Sequence, residues 1–403
     1  MSGTALHATR EVARNEQVCR LTATDEVVLA ELGSALFVSL PRSDQRRRGM
    51  EYIQGLLGAE GRKSVRNIAA MIGGQAAEQS LHHFVSGSPW DWVPVRRALA
   101  RYLMGSVPPA AWVVRPMMIP KAGENSVGVE RRYVPSLGQI LNGQQAVGVW
   151  AASERTSVPV NWRLHLSQAW LDDEERRSRA SIPEDVRPET LTDCTTHACL
   201  EMARHWGLPV RPVVVDVRDA DALAVVQRLR AARLPFLVRV GGTVRLRVAD
   251  PALRIHGQQL PGHQIMWEAR DMRRPVIWRD HGLQGGARNG LAAAVRVGLP
   301  ARPGHLGPPG ARGELLLATG EAGRPWPSEL WLTDLVSASP AELLRLTKIT
   351  RRVDRDFSEI AERVGIRDYT GRSFCGWHRH ITLASAAHAV AALTRVTERR
   401  ETF

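Results

Sequence analysis

The chain has 403 residues, enough for two to three domains of ordinary size. Hydrophobic residues make up 44% of the chain and charged residues 24%, a composition typical of globular proteins and not of disordered ones. No stretch approaches the ~20 apolar residues that cross a bilayer. Residues 1–17 lack the apolar core of a secretory signal. We therefore expect no membrane partner and a cytoplasmic location.

The formal net charge is +13, and only three of the 54 basic residues are lysines: Lys63, Lys121 and Lys348. Arginine makes forked contacts to phosphate and keeps its charge at any relevant pH. A strongly basic, arginine-rich chain is one expected property of a nucleic-acid-binding protein. A GC-rich genome, which favours arginine codons, would give the same composition, so charge alone leaves both explanations open.

The four cysteines, Cys19, Cys194, Cys199 and Cys375, form no CxxC pair. The sequence therefore predicts neither a disulfide framework nor a zinc ribbon. Cys375 is followed by His378 and His380, but this spacing is not a standard zinc set. We expect these histidines to be structural or to contact phosphate.

The pattern along the first quarter of the chain predicts a flexible arm over residues 1–25 and a helical domain over 26–108. Apolar residues at helical spacing fill residues 65–72, the pair Gly73-Gly74 interrupts them, and a second short helix follows. Helix, glycine turn, helix is the outline of a helix-turn-helix. An ordinary helical hairpin has the same outline, so a DNA-binding role for this domain is only one of two interpretations.

Residues 109–240 have the pattern of an α/β core. The apolar run 111–119 and two following segments predict adjacent strands, separated by a turn over 137–144. The buried strand RPVVVDV (211–217), a helix and the strand FLVRV (236–240) follow in order. Strand, helix, strand is typical of an α/β sheet.

Residues 241–330 are rich in Gly, Pro and Arg, and we interpret them as a β-rich insertion. QIMWEA (264–269) is among the strand-like pieces, and residues 282–313 have a loop-like composition. Residues 331–403 return to helical spacing and complete the core.

Two kinds of acidic residue could carry chemistry. Asp216 ends an apolar strand, where α/β proteins place ligands for metals or phosphates. Asp354 and Asp356 lie on a predicted helix among arginines, where a salt-bridged surface is the simpler interpretation. The loop DYTGRSFCGW (368–377) places Arg372 between two glycines, which suits a tight turn that presents a cation.

The segment GIRDYTGRSFCGWHRHITLASAAHA (365–389) resembles the C-terminal signature of bacterial insertion-sequence DDE transposases, the DDE superfamily endonuclease type. SVGVERRY (126–133), NGQQAVGV (142–149) and VNWRLHLSQAWLDDEERRSRASIPE (160–184) resemble other segments of that family in the same order. The resemblance extends over roughly residues 45–395.

The resemblance implies a ribonuclease H-like α/β core with a helical N-terminal domain and a β-rich insertion before the last catalytic helix. It also implies three carboxylates that hold two Mg²⁺ ions. The substrate would be double-stranded DNA at a transposon end. By the same analogy, the chain would form a homodimer.

The catalytic residues carry over only in part. Arg115 and Pro116 stand where the family has its first Asp, in a segment whose register is kept by Pro120 and Lys121. The second Asp matches Asp216. The third acid, usually Glu, matches Asp354, so Asp216 and Asp354 are the predicted catalytic and metal-binding residues. A carboxylate shortened by one carbon is misplaced by ~1 Å, which can cost ~100-fold in rate.

Glu124 and Glu130 lie further along the chain, and Glu130 is on a neighbouring predicted strand. We do not expect Glu130 to replace the missing acid. The residues predicted to contact DNA are basic or lie in the resembling loop: Lys121, Arg131, Arg132, Arg351, Arg352, Arg372, Trp377, His378, Arg379 and His380.

Three hypotheses follow. The chain is a transposase-derived DNA-binding protein with impaired or lost strand transfer, domesticated or vestigial. Alternatively, it is an active metal-dependent DDE transposase or endonuclease. The third hypothesis is a repurposed enzyme that binds a small molecule in the former active-site cleft. The charge of +13 does not favour this hypothesis.

Overall fold

The computed structural model describes residues 21–134, 138–218, 221–280, 286–300, 313–320 and 326–401. Most of the predicted arm, residues 1–20, lies outside this range. The first helix begins at Ala23, inside the predicted arm, because Thr22 and Asp25 form a reciprocal capping box that fixes its N-terminus.

The described residues form twelve α-helices, and three α-helical segments near the middle of the chain are short. In chain order they are α1 (Ala23–Leu36), α2 (Ser43–Gly58), α3 (Val65–Ile72), α4 (Gln75–Ser86), α5 (Trp92–Ser106), α6 (Gln168–Asp172), α7 (Glu174–Arg179), α8 (Leu191–His205), α9 (Ala222–Ala231), α10 (Gly262–Glu268), α11 (Pro340–Asp356) and α12 (Phe374–Glu401). A π-helical turn, Phe357–Ala361, directly follows α11.

One mixed sheet contains all twelve strands of the described chain. They are β1 (Ala111–Pro120), β2 (Val129–Val134), β3 (Gln139–Ala152), β4 (Ser157–Leu164), β5 (Val213–Asp216), β6 (Phe236–Val240), β7 (Arg245–Val248), β8 (Gln259–Pro261), β9 (Arg274–Asp280), β10 (Gly286–Gly298), β11 (Glu314–Gly320) and β12 (Glu329–Thr333).

The sheet has a central part with parallel strands and an antiparallel extension. Strands β4, β3, β1, β5 and β6 are neighbours in that order; β3 is antiparallel to β1, whereas β5 and β6 are parallel to it. Beyond β6 the sheet continues as β12, β11, β10, β7 and β8. The mixed α/β architecture is consistent with the ribonuclease H-like fold that the resemblance implies.

The strands of residues 241–330 extend the central sheet directly, and two predictions in this region are wrong. All of QIMWEA except Ala269 lies in α10, where the adjacent residues Ile265 and Met266 are buried. Periodicity alone cannot decide between strand and helix for so short an apolar run. The loop-like segment contains β10, which pairs with β11 from Leu291 to Val297 and buries Ala292, Ala293, Val295 and Val297. The turn predicted over 137–144 is also too long, since β3 begins at Gln139.

The N-terminal helices share a core with the C-terminal helix α12. The hydroxyl of Tyr52 on α2 lies 2.9 Å from Nδ1 of His380 on α12. Arg96 on α5 is buried and donates to Thr382 of α12 at 2.7 Å and to the carbonyl of Trp162 in β4 at 2.9 Å. The helical region is therefore tied to the sheet by buried polar contacts.

The predicted helix, glycine turn and second helix are confirmed as α3, Gly73-Gly74 and α4. Gly74 has a φ of 63°, a conformation that favours glycine and sharply separates the two helices. Whether α4 contacts DNA is untested and stays a prediction. In the described part of the chain, no helix is long and apolar enough to cross a membrane.

Candidate active site

Three neighbouring parallel strands place alternating charges at one level of the sheet. Val114 of β1 pairs with Val215 of β5, so the next residues, Arg115 and Asp216, lie side by side. Asp216 in turn pairs with Arg239 of β6. Because adjacent strands are ~4.8 Å apart, this row of cation, anion and cation spans ~10 Å across the sheet.

Asp354, near the end of α11, approaches this row from above the sheet. Nε of Arg115 donates to Oδ1 of Asp354 at 3.0 Å. The Arg115 guanidinium also lies 3.7 Å from the ring centroid of Phe357, in the π-helical turn after α11. This cation–π contact and the ion pair together fix the end of α11 on β1.

Asp216 is held by two arginines. Arg218 makes a forked contact, with Nε 2.9 Å from Oδ1 and Nη2 2.8 Å from Oδ2. Arg239 donates to Oδ2 at 3.2 Å. Each guanidinium is a fixed cation, so the carboxylate is satisfied by charge-assisted hydrogen bonds without any metal ion.

We call these paired charges, Arg115, Asp354, Asp216, Arg218 and Arg239, the ionic array. The array continues to β12. The Glu329 carboxylate lies 3.4 Å from Nη2 of Arg239 and 3.8 Å from Nη2 of Arg351 on α11. Sequence reasoning missed Arg218, Arg239 and Glu329. Arg239 had a signal that could have been used, since it is the single charged residue in the buried strand FLVRV, as Asp216 is in its own strand.

The donor set does not fit a pair of divalent cations. Mg²⁺ binds through carboxylate oxygens and water, and guanidinium groups cannot act as ligands. Here the side chain beside Asp216 and Asp354 is that of Arg115, and each of the two acids already binds a guanidinium. Within the described ranges, no three His, Cys, Asp or Glu side chains cluster as a metal site would require.

Neither of the other nearby acids replaces the missing carboxylate. Glu130 lies opposite Gly143, which pairs with Pro120, so it is five residues along the strand and two strand spacings from Arg115, ~19 Å away. It bonds to Ser167 and Arg132. Asp356 is buried and accepts hydrogen bonds from the backbone and hydroxyl of Ser157. Burial raises the pKa of Asp356, and its contacts hold α11 to the start of β4.

Four residues that were predicted to contact DNA lie on α12 inside the protein, so that prediction is wrong for Trp377, His378, Arg379 and His380. Trp377 is 1% exposed, and His378 stacks on Trp92 with ring centroids 4.7 Å apart. Arg379 donates to the carbonyls of Val85 and Trp90 at 3.1 Å. His380 bonds to Tyr52 and to the Gly365 carbonyl. The motif stabilises the packing of α12.

Burial also sets the protonation of the two histidines. It lowers the pKa of His380 to about 4 and the pKa of His378 well below its usual value, so both are neutral near pH 7. A neutral, buried imidazole has no charge to offer to a phosphate.

The other residues predicted to contact DNA differ in the exposure of their side chains. Arg131, Arg351 and Arg372 are exposed. Arg132 and Arg352 are tied to Glu130 and Asp356. The remaining one, Lys121, is half-buried; it donates to the Tyr369 carbonyl at 2.6 Å, and burial lowers its pKa to about 8.

The geometry of a mixed sheet with acids at a strand end and on a late helix agrees with a comparison against protein families. Residues 35–300, about two thirds of the chain, match the family described as DDE superfamily endonuclease. The chain belongs to the DDE superfamily endonucleases, a transposase-like family that acts on DNA and generally depends on divalent metals. No curated protein matches the chain.

Proposed function

We propose that this chain is a transposase-derived DNA-binding protein that has lost strand-transfer activity. The observation that carries the proposal is the ion pair between Arg115 and Asp354. Arg115 occupies the first acidic position of the family and neutralises the acid at the third position. A single substitution thus removes one metal ligand and engages another.

The contacts of Asp216 support the same conclusion. Arg218 and Arg239 bind it together, and its side chain keeps only 34% of its surface exposed. A metal ion would have to displace two charge-assisted hydrogen bonds to reach it. The retained acids therefore stabilise the fold in place of holding Mg²⁺.

DNA binding follows from the family and from the charge of +13. Family membership supplies the substrate class, and exposed arginines such as Arg131 and Arg372 supply phosphate contacts. Formation of a homodimer and a cytoplasmic location remain predictions.

The test combines binding and cleavage. Labelled duplex DNA, including the sequences that flank the gene, is titrated with protein in Mg²⁺, in Mn²⁺ and in EDTA at several salt concentrations. We expect binding that weakens steeply with salt, is unchanged by EDTA and yields no nicks. Metal-dependent nicking that Asp216→Ala abolishes would overturn the proposal and restore an active nuclease. Absence of DNA binding would overturn it in favour of a function without nucleic acid.

A further inference from the structure

Three exposed arginines, Arg245, Arg247 and Arg296, lie together on the antiparallel extension of the sheet. The side chains of β7 alternate between exposed and buried, with both arginines on the exposed side. Gly298 of β10 pairs with Arg247, and Arg296 lies two residues before Gly298. Residues two apart on a strand share a face, so the three guanidinium groups stand on one side of the sheet, and we call them the basic strip.

The basic strip faces the same side as the ionic array. Arg239 pairs with Trp331, Trp331 with Leu317, and Leu317 with Ala294, and direct partners on adjacent strands share a face. Ala294 lies two residues before Arg296, so Arg239 and Arg296 project to the same side. Helix α11 lies over this face, as its contact with Arg115 and the approach of Lys348 to the Trp278 ring at 5.7 Å show.

The arginines of the strip differ from those of the array in their partners. Among the described residues, none of the three forms an ion pair with a carboxylate. Within the described ranges, the Arg245 guanidinium donates to the Gln259 carbonyl at 2.9 Å. The nearest acid in sequence, Asp250, accepts from the backbone of Ala252 and Arg296. A phosphate that binds the strip therefore breaks no ion pair, whereas one that binds the array must compete with Asp216, Asp354 or Glu329.

The separation of strip and array suits a duplex. Five strand spacings, from β5 to β7, and an offset of four residues along β10, from Ala294 to Gly298, separate Asp216 from Arg247. At ~4.8 Å per spacing and ~3.3 Å per residue, the distance is ~27 Å. DNA rises ~3.4 Å per base pair, so this distance corresponds to ~8 base pairs.

We propose that the basic strip binds the phosphate backbone of duplex DNA that lies across this face of the sheet. The inference rests on the proposed function, because it says which surface supplies the DNA affinity. It moves the main phosphate contacts from the old catalytic position to the extension of the sheet, where guanidinium groups are not already neutralised.

The experiment compares two triple variants that each lose three charges. The test variant carries Arg245→Gln, Arg247→Gln and Arg296→Gln. The control carries Arg187→Gln, Arg204→Gln and Arg233→Gln, all exposed positions. Arg204 belongs to α8, which packs on the opposite face, where its Cys199 and Met202 line a small cavity with Trp112 and Val213. Circular dichroism and the midpoint of thermal unfolding show that both variants are folded.

Affinity for duplexes of about 6 and about 16 base pairs is measured by fluorescence anisotropy across salt. For the long duplex, we expect the test variant to bind at least ~10-fold more weakly and the slope of log K against log salt to fall by ~2.7, which is ~0.9 per lost contact. The short duplex should lose at least as much, because it can bind the strip without reaching the array.

The outcomes separate this inference from the proposed function. If the wild-type protein binds DNA and the test variant keeps its affinity and salt slope, the strip is not the DNA-binding surface, although the proposed function stands. Equal losses in the control variant would also overturn the inference, since net charge alone would then account for the effect. If the wild-type protein binds no duplex, the proposed function itself fails.

Discussion

Nε of Arg115 lies 3.0 Å from Oδ1 of Asp354, although the two residues are 239 positions apart in the chain. This contact joins the first strand of the sheet to helix α11 above it. In a metal-dependent site of this family, carboxylates at both positions would repel each other until a cation bound between them. Here the cation is covalently part of the protein, so the helix docks on the sheet without an ion.

Divalent metals should therefore leave the stability of the wild-type protein unchanged. Arg115→Asp replaces the cation with a carboxylate beside Asp216 and Asp354, and we expect it to lower the thermal midpoint in EDTA through like-charge repulsion. Added Mg²⁺ or Mn²⁺ should recover part of that loss in the variant alone. Differential scanning fluorimetry with an equal ionic strength of NaCl as control measures both effects. A midpoint of the wild-type protein that rises with Mg²⁺ would contradict the interpretation of the donor set.

Removal of the Arg115 guanidinium alone should have a small effect. Asp354 keeps 67% of its side-chain surface exposed, and ion pairs at such positions contribute about 0–1 kcal/mol. The contact with Phe357 adds about 0.5–1 kcal/mol. Arg115→Met should thus reduce the free energy of unfolding in urea by about 1 kcal/mol. A loss several times larger would mean that the array is more strongly coupled than its exposure indicates.

Substitution of Arg96 should be far more costly. The side chain is 2% exposed and donates to Thr382, Asn161 and the Trp162 carbonyl, so its loss leaves several buried acceptors unsatisfied. Each such group costs about 1–3 kcal/mol, and we expect Arg96→Met to lose at least about 3 kcal/mol in urea unfolding. Arg96→Lys should not rescue it, because an ammonium cannot reproduce the planar fork.

The neighbouring Arg97 is the matched control for Arg96, since it is only half-buried on the same helix. Arg97→Met should change the free energy of unfolding by less than about 0.5 kcal/mol. Comparable losses for the two variants would show that helix α5 is sensitive to any loss of arginine and would refute the role assigned to the buried one.

Acid should destabilise the fold through buried histidines. Burial lowers the pKa of His380 and of His388 to about 4, whereas the ordinary value is 6.5. The unfolded chain therefore binds more protons than the folded chain between these values, so stability is full above pH ~6.5 and falls as the pH drops towards ~4. A shift of this size corresponds to roughly 3 kcal/mol per histidine.

Urea unfolding measured between pH 7 and pH 4.5 tests this dependence. His380→Gln removes one titrating group and should flatten the curve, even though it also lowers stability at pH 7 by loss of the contacts with Tyr52 and the Gly365 carbonyl. An unchanged slope in the variant would exclude His380 as a source of the acid sensitivity.

Arg372 and Arg379 should behave differently although they belong to the same motif. Arg372 is exposed, so Arg372→Gln should weaken DNA binding and lower the salt slope by ~0.9 without a change in stability. Arg379 is buried against backbone carbonyls, so Arg379→Gln should lower the unfolding midpoint and leave the salt slope of the folded protein unchanged. Interchanged results would restore the interpretation of the motif as a DNA-contacting loop.

The sequence by itself determined the order of the secondary structure and the positions of the acids. Local patterns predict Asp216 at the end of an apolar strand and Asp354 on a late helix. A parallel strand that is buried on both sides is a continuous apolar run, and a helix shows its own periodicity, so neighbouring residues are enough to identify both. The resemblance predicted that Arg115 and Pro116 stand where the family has its first Asp. Local pattern failed where short apolar or glycine-rich segments fit two structures, as in α10 and β10.

Only the tertiary structure decided which charges meet. Arg115 reaches Asp354, and Arg239 reaches Asp216, through strand pairing and helix packing that bring distant residues within hydrogen-bond distance. Burial of His380, which was predicted from the sequence to contact DNA, depends on the N-terminal helices that cover α12. Electrostatic energy depends on distance and solvent exposure, which are properties of the folded chain and not of residue identity.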